Sequence, residues 1–163
     1  MSDGATFVHS VRVYYEDTDA GGVVYYANYL KFAERGRTEA LRAIGVEQRD
    51  FAASEGVQFV VRRVEADFHA PARLDDDLEV VTRTVDIGGA SLTMDQAIRR
   101  GDETLVTLRV NICSVGAGGP RAGRPVRLPP QIASRFGGKA GASPAIGPRT
   151  ATVSPQISKT KRV

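Results

Sequence analysis

Residues 11–42 read VRVYYEDTDAGGVVYYANYLKFAERGRTEALR, and they contain two hydrophobic periods separated by a polar break. Val11, Val13 and Tyr15 alternate with Arg12 and Tyr14, so residues 7–15 are expected to form a strand. The stretch EDTDAGG, residues 16–22, is polar and glycine-containing and is expected to be a loop. From Val23 to about Ile44 the period becomes helical. Tyr26, Leu30, Ala33, Arg37, Ala40, Leu41 and Ile44 fall near one face, and Gly45 is placed to end the helix. Gly36 inside this helix costs about 1 kcal/mol relative to alanine and marks a close crossing against a sheet.

Beyond Gly56 the period returns to two. Strands are expected over residues 57–68, 77–87, 90–100 and 103–115, with Gly88-Gly89 and Gly101-Asp102 as hairpin connectors. A short helix is expected over residues 131–136. One strand, one long helix and four further strands, with no βαβ alternation, predict an α+β fold in which an antiparallel sheet packs on one helix.

The chain has 163 residues, which suits one domain over 1–136 followed by a tail over 137–163. From Gly116 onward there are nine basic residues and no acidic one. The preceding 115 residues hold 13 basic and 19 acidic residues, so the net charge of +3 comes from the C-terminal part. An acidic body of this kind is not built to grip a nucleic-acid backbone. The tail carries +5 in 27 residues, with too little apolar content to repay ordering, and is expected to be disordered. It is read as a solvated appendage, with weak attraction to an anionic membrane surface or an acyl carrier protein as the functional alternative. No stretch approaches a membrane span and the N-terminus is not a secretory signal, so a cytoplasmic location is expected. One cysteine, Cys113, and two histidines, His9 and His69, make a structural zinc site an unlikely expectation, and no metal constellation is present.

The segment Tyr15–Tyr29 concentrates the chemistry. Three carboxylates, Glu16, Asp17 and Asp19, and the pair Gly21-Gly22 directly precede a helix. A helix N-terminus presents unpaired N–H groups and a partial positive charge that stabilise an oxyanion. A carboxylate beside it can attack an acyl carbon or activate water. Together these suffice for ester or thioester hydrolysis without serine, histidine or metal. The plainer reading makes Asp17, Thr18 and Asp19 caps and turn residues.

The string in residues 11–42, and FVVRRVEADFHAPARLDDDLEV in residues 59–80, closely resemble the Tol-Pal-associated acyl-CoA thioesterases (the YbgC family) of the hotdog superfamily. The resemblance covers about residues 11–128. It implies a hotdog fold, hydrolysis of acyl-CoA and no cofactor, coenzyme A being part of the substrate. It implies that Asp19 is the catalytic carboxylate and that the backbone N–H of Tyr26 is the oxyanion donor. Many members carry histidine at this position. The Tyr26 side chain is read as filling space, with a hydrogen bond to the acyl group as the alternative. Gly22, Val23, Arg62 and Ser91 are the expected substrate-binding residues, and Arg63, Arg73, Arg99 and Arg100 are further candidates for the coenzyme A phosphates. Asp17 is expected to orient the loop. Glu34 is expected to be a salt-bridge or substrate-channel residue. His69 is expected to be structural, and Cys113 inert. Assembly is expected to be a homodimer with a continuous sheet, or a homotetramer. The competing functions are a non-enzymatic hotdog scaffold at the cell envelope and an acyl-thioester dehydratase. The latter usually needs a histidine in the reacting site, and the loop has none.

Overall fold

The computed structural model describes residues 5–136; the expected tail, 137–163, lies outside the described residues. Five strands form one antiparallel sheet: β1 (Thr6–Arg12), β2 (Val57–Phe68), β3 (Asp77–Ile87), β4 (Ser91–Arg100) and β5 (Glu103–Gly116). Their spatial order is β1-β3-β4-β5-β2, so β1 and β2 are the two edges. The long helix α1 (Asn28–Ala43) lies across β1, β3 and β4. This is the expected α+β arrangement, a sheet around one long helix.

Three features differ from the reading of the sequence. The first strand, expected over residues 7–15, ends at Arg12, because from Tyr14 the Asp17 carboxylate draws the backbone into the turn Tyr15–Asp17. The helix begins at Asn28 rather than Val23. Val23 and Val24 are extended and buried, bridged to Arg73 and Thr18, and the Val24 N–H donates to the Ala72 carbonyl at 2.9 Å. Two β-branched residues with a strand-like partner available favour that state over a first helical turn. The third difference is α2 (Gln48–Glu55), an additional helix between α1 and β2. It buries a single apolar side chain, Phe51, which stacks on Phe59 with centroids 5.8 Å apart. One anchor in eight residues leaves no helical period to read. The short helix expected near residue 131 is present as α3 (Pro130–Arg135), and its Arg135 donates to the Ile44 carbonyl at the end of α1.

The core lies between α1 and the sheet, built from Tyr29, Phe32, Leu78, Leu92, Met94 and Ile98. Gly36 makes the approach possible. A Cβ there would stand 2.5 Å from Val80 Cγ1, 3.1 Å from Thr82 Oγ1 and 3.2 Å from Gln96 Nε2. Any larger residue must push the helix off β3 and β4. Among the described residues no helix is long and apolar enough to cross a membrane.

Gly36→Ala should therefore destabilise the fold despite its better helix propensity. Overpacking costs about 1–3 kcal/mol and propensity returns at most about 1 kcal/mol. Chemical denaturation of Gly36→Ala, Val80→Ala and the double variant should show a coupling above about 0.5 kcal/mol, because Val80→Ala removes the methyl that the new Cβ meets. Additive costs would show that Gly36 is not constrained by this contact.

Candidate active site

The polar loop expected over residues 16–22 is ordered by its own carboxylates. Tyr15–Asp17 form one 3-10 turn, and the Asp17 carboxylate accepts the Tyr14 N–H at 2.8 Å. The Asp17 carbonyl accepts both the Tyr25 N–H and the Asn28 side-chain amide. Asp17 is thus a hub between the loop and the first turn of α1, and it is buried. Thr18 donates from its hydroxyl to the Tyr15 carbonyl.

Asp19 sits two residues on, half-buried, in a tight turn. Its Oδ1 accepts the Gly21 N–H at 2.8 Å, its carbonyl accepts the Gly22 N–H, and its own N–H donates to the Val23 carbonyl. Gly22 closes the turn at φ 76°, a left-handed value that suits glycine. Asp19 is therefore a turn residue, and the turn also fixes where its carboxylate stands. That charge acts on the hydroxyl of Tyr29, in the first turn of α1.

The loop is pinned from the far side by the β2–β3 connection. Ala72, fully buried, accepts from Val24 and donates its N–H to the Tyr29 hydroxyl oxygen at 2.9 Å. Burial pushes the Tyr29 phenol above its usual range; the Ala72 hydrogen bond opposes that shift. Asp76 fixes the connection in turn by accepting from the Arg73 N–H and from the Arg100 guanidinium. Tyr26 is partly buried, with its ring edge-on to Phe68 at 6.3 Å and tilted on Tyr25 at 5.0 Å. Its backbone lies in the turn that leads into α1: the Asn28 N–H donates to Tyr25 and the Tyr29 N–H to Tyr26.

Gly22 and Val23 are thus bonded to Asp19, and Arg73 joins them through its bridge to Val23, while Tyr26 follows in the turn into α1 with its ring against Phe68. Arg62 and Ser91 do not join this group. Arg62 lies at a register break of β2, between Val61 and Arg63. Ser91 begins β4, whose other end, Arg100, bonds the β2–β3 connection; nine residues of strand place Ser91 about 30 Å from that end. Arg63, Arg99 and Arg100 are engaged with Glu65, Asp102 and the pair Asp76 and Glu103, whereas among the described residues Arg62 and Arg73 make no ion pair. His69 Nε2 meets Thr107 Oγ1 at 3.1 Å. Glu34 forms no ion pair and instead lines a cavity under α1. No group of three or more His, Cys, Asp or Glu among the described residues is placed to hold a metal. The phenol of Tyr29 is the site residue that the sequence reading missed, because its partner Ala72 is 43 positions away.

The thioesterase superfamily model matches residues 21–107. The chain is 46% identical over 127 residues to the acyl-CoA thioester hydrolase YbgC of Escherichia coli O157:H7, covering 77% of this chain and 92% of that protein. It is 39% identical over 130 residues to the acyl-CoA thioesterase YbgC of Haemophilus influenzae, covering 80% and 93% respectively. A probable thioesterase from Bartonella henselae has the same fold, with a TM-score of 0.72 at 42% identity over 77% of this chain and all of that one.

Tyr29→Phe should leave the buried Ala72 N–H unpaired and cost about 1–3 kcal/mol of stability. In the parent, the raised phenol pKa means that stability is fully present below the ordinary value of 10.0 and falls as pH rises above it, since the unfolded chain ionises first. Denaturation across alkaline pH should show this loss shrinking in Tyr29→Phe. An unchanged midpoint and an unchanged alkaline slope would show that the contact contributes nothing.

Proposed function

The chain belongs to the thioesterase superfamily, and from that membership we propose that it hydrolyses acyl-CoA to a free acid and coenzyme A with Asp19 as its catalytic carboxylate. The observation that carries this reading is the turn 19–23, which fixes the Asp19 carboxylate in the ordered segment that leads into α1. The similarity to two YbgC acyl-CoA thioesterases over most of both chains supplies the substrate class.

In the proposed reaction the thioester carbonyl lies against the N-terminal end of α1, where the Tyr26 N–H and the helix dipole stabilise the developing oxyanion. Asp19 either attacks the carbonyl carbon or takes a proton from a water that attacks it. In the first route the C–S bond breaks to leave a mixed anhydride between the acyl group and Asp19, which water then hydrolyses; in the second the water oxygen replaces sulfur on the acyl carbon. In both the coenzyme A thiolate leaves and is protonated, and the acyl group ends as a carboxylic acid. Asp17 positions the loop rather than reacting, since its carboxylate and carbonyl are both committed to backbone and amide donors. Gly22, Val23 and Arg73 line the approach. Short to medium acyl chains are the proposed substrates.

Arg62 and Ser91 acquire a place in this scheme if two copies pair. The edge strand β2 exposes Val60 and Val61, 40% and 48% accessible, beside a free row of backbone groups. Two β2 edges joined antiparallel about a two-fold axis extend the sheet and bring the Ser91 end of one copy toward the Asp19 end of the other. The proposed assembly is therefore a homodimer, itself able to pair into a tetramer.

Asp19→Asn should lower kcat by about 100-fold or more, with KM changing far less, while Asp17→Asn should cost less. Thiol release from a series of acyl-CoAs measures both, and near-parental turnover of Asp19→Asn would overturn the assignment. Turnover in isotopically labelled water separates the two routes, because direct attack puts label into the Asp19 carboxylate. Light scattering at micromolar concentration should give at least twice the chain mass; a stable monomer would overturn the paired-edge arrangement.

A further inference from the structure

Beneath α1, at the half of the sheet away from the Asp19 loop, lies a cavity of about 160 Å³. Phe59, Leu92, Met94 and Ile112 give it one apolar wall, and Glu34, Arg37 and Thr38 of α1 with Gln48 of α2 make the opposite side polar. Its size suits a benzene-sized group and excludes a whole coenzyme A thioester.

Arg37 is the unusual member. Its guanidinium is largely withdrawn from water, which lowers its pKa, and the attraction of Glu34 opposes that effect. Among the described residues it makes one hydrogen bond, from Nη1 to Gln96 Oε1 at 2.9 Å, and no ion pair. Gln96 is fully buried and cannot turn away: its Nε2 donates to the Ala33 carbonyl at 2.9 Å and to Thr82 Oγ1 at 2.8 Å. The amide oxygen is therefore fixed toward Arg37 and holds one end of its guanidinium, and Arg37 is one of the residues that line the cavity. A guanidinium has five N–H donors, and one neutral acceptor does not offset the desolvation of its charge. A second acceptor entering the partly enclosed cavity beside it gains more than the same contact gains in water.

We propose that this cavity receives the far end of the acyl group and that Arg37 selects acyl groups bearing an oxygen acceptor, hydroxyl or carboxylate, at that end. The inference rests on the acyl-CoA hydrolase reading and deepens it by naming the substrate class. Arg37 follows Asn28 by nine residues, about 13 Å along the helix axis. An acetyl group bound at the start of α1 ends far short of it, whereas a medium chain can reach. The apolar wall accommodates methylenes, and only the terminal oxygen meets the cation.

The experiment compares kcat/KM for methyl-terminated hexanoyl- to decanoyl-CoA with ω-hydroxy and ω-carboxy acyl-CoAs of equal length, using the full chain and its Arg37→Met and Arg37→Lys variants. The parent should favour one or both oxygenated series by at least tenfold, the scale of one charge-assisted hydrogen bond. The two series separate a hydroxyl from a carboxylate preference. Arg37→Met should bring the ratio close to one, and Arg37→Lys should retain part of it. Equal rates for all three series in the parent would overturn the inference by themselves, whether or not either variant folds. A parental preference that survives in Arg37→Met would overturn the role of Arg37. Failure to hydrolyse any acyl-CoA would instead overturn the hydrolase reading, and the inference with it.

Discussion

The active-site loop depends on Ala72. Both backbone groups of this buried residue are taken by the segment around Asp19, its carbonyl by Val24 and its N–H by Tyr29. The loop that carries the carboxylate and the helix that supplies the dipole are thereby tied to one point on the β2–β3 connection. That connection is fixed through Asp76 to Arg100, at the end of β4, and through Arg100 to Glu103, at the start of β5. The position of Asp19 is thus set by a relay that ends in the centre of the sheet. A loop held only by its own turns would open far more readily than the core, and the electrostatic stabilisation of an oxyanion requires donors that do not have to reorganise.

What was legible in the sequence follows the range of the interactions. The alternation of Val106, Leu108, Val110 and Ile112 marks β5 because each residue's burial repeats over two positions. The helix around Gly36 is legible for the same reason, and a glycine within it signals that a backbone comes close. The loop chemistry is local too: Asp17, Asp19 and Gly22 bond partners within a few residues. The start of α1 was misplaced by five residues because the partners of Val23 and Val24 lie some 50 positions downstream. Tyr29, Gln96 and Arg37 gave no signal as a set. The bonds between Tyr29 and Ala72, Arg37 and Gln96, and Gln96 and Ala33 span 43, 59 and 63 positions, and the helical period that puts Arg37 on the apolar face names no partner for it there. The fold and the loop were therefore visible, and the polar interior was not.

The neighbours Asp95 and Gln96 show how differently the two faces of the sheet treat charge. Successive strand residues point to opposite faces. On the face away from α1, Asp95 is 5% accessible and accepts two bonds from Arg109, both at 2.6 Å. That bidentate pair raises the Arg109 pKa: the hydrogen bonds to Asp95 outweigh the burial that opposes them. On the inner face, Gln96 offers Arg37 a neutral amide, and burial drives that guanidinium the other way. A carboxylate at position 96 would close the second pair as the first is closed. At Gly36 the helix approaches β3 and β4 closely, so that Gln96 has little room to rearrange. The sheet thus neutralises the arginine of its outer face with a carboxylate. The inner-face arginine is left with a neutral amide as its hydrogen-bond partner, and it is one of the residues that line the cavity under α1.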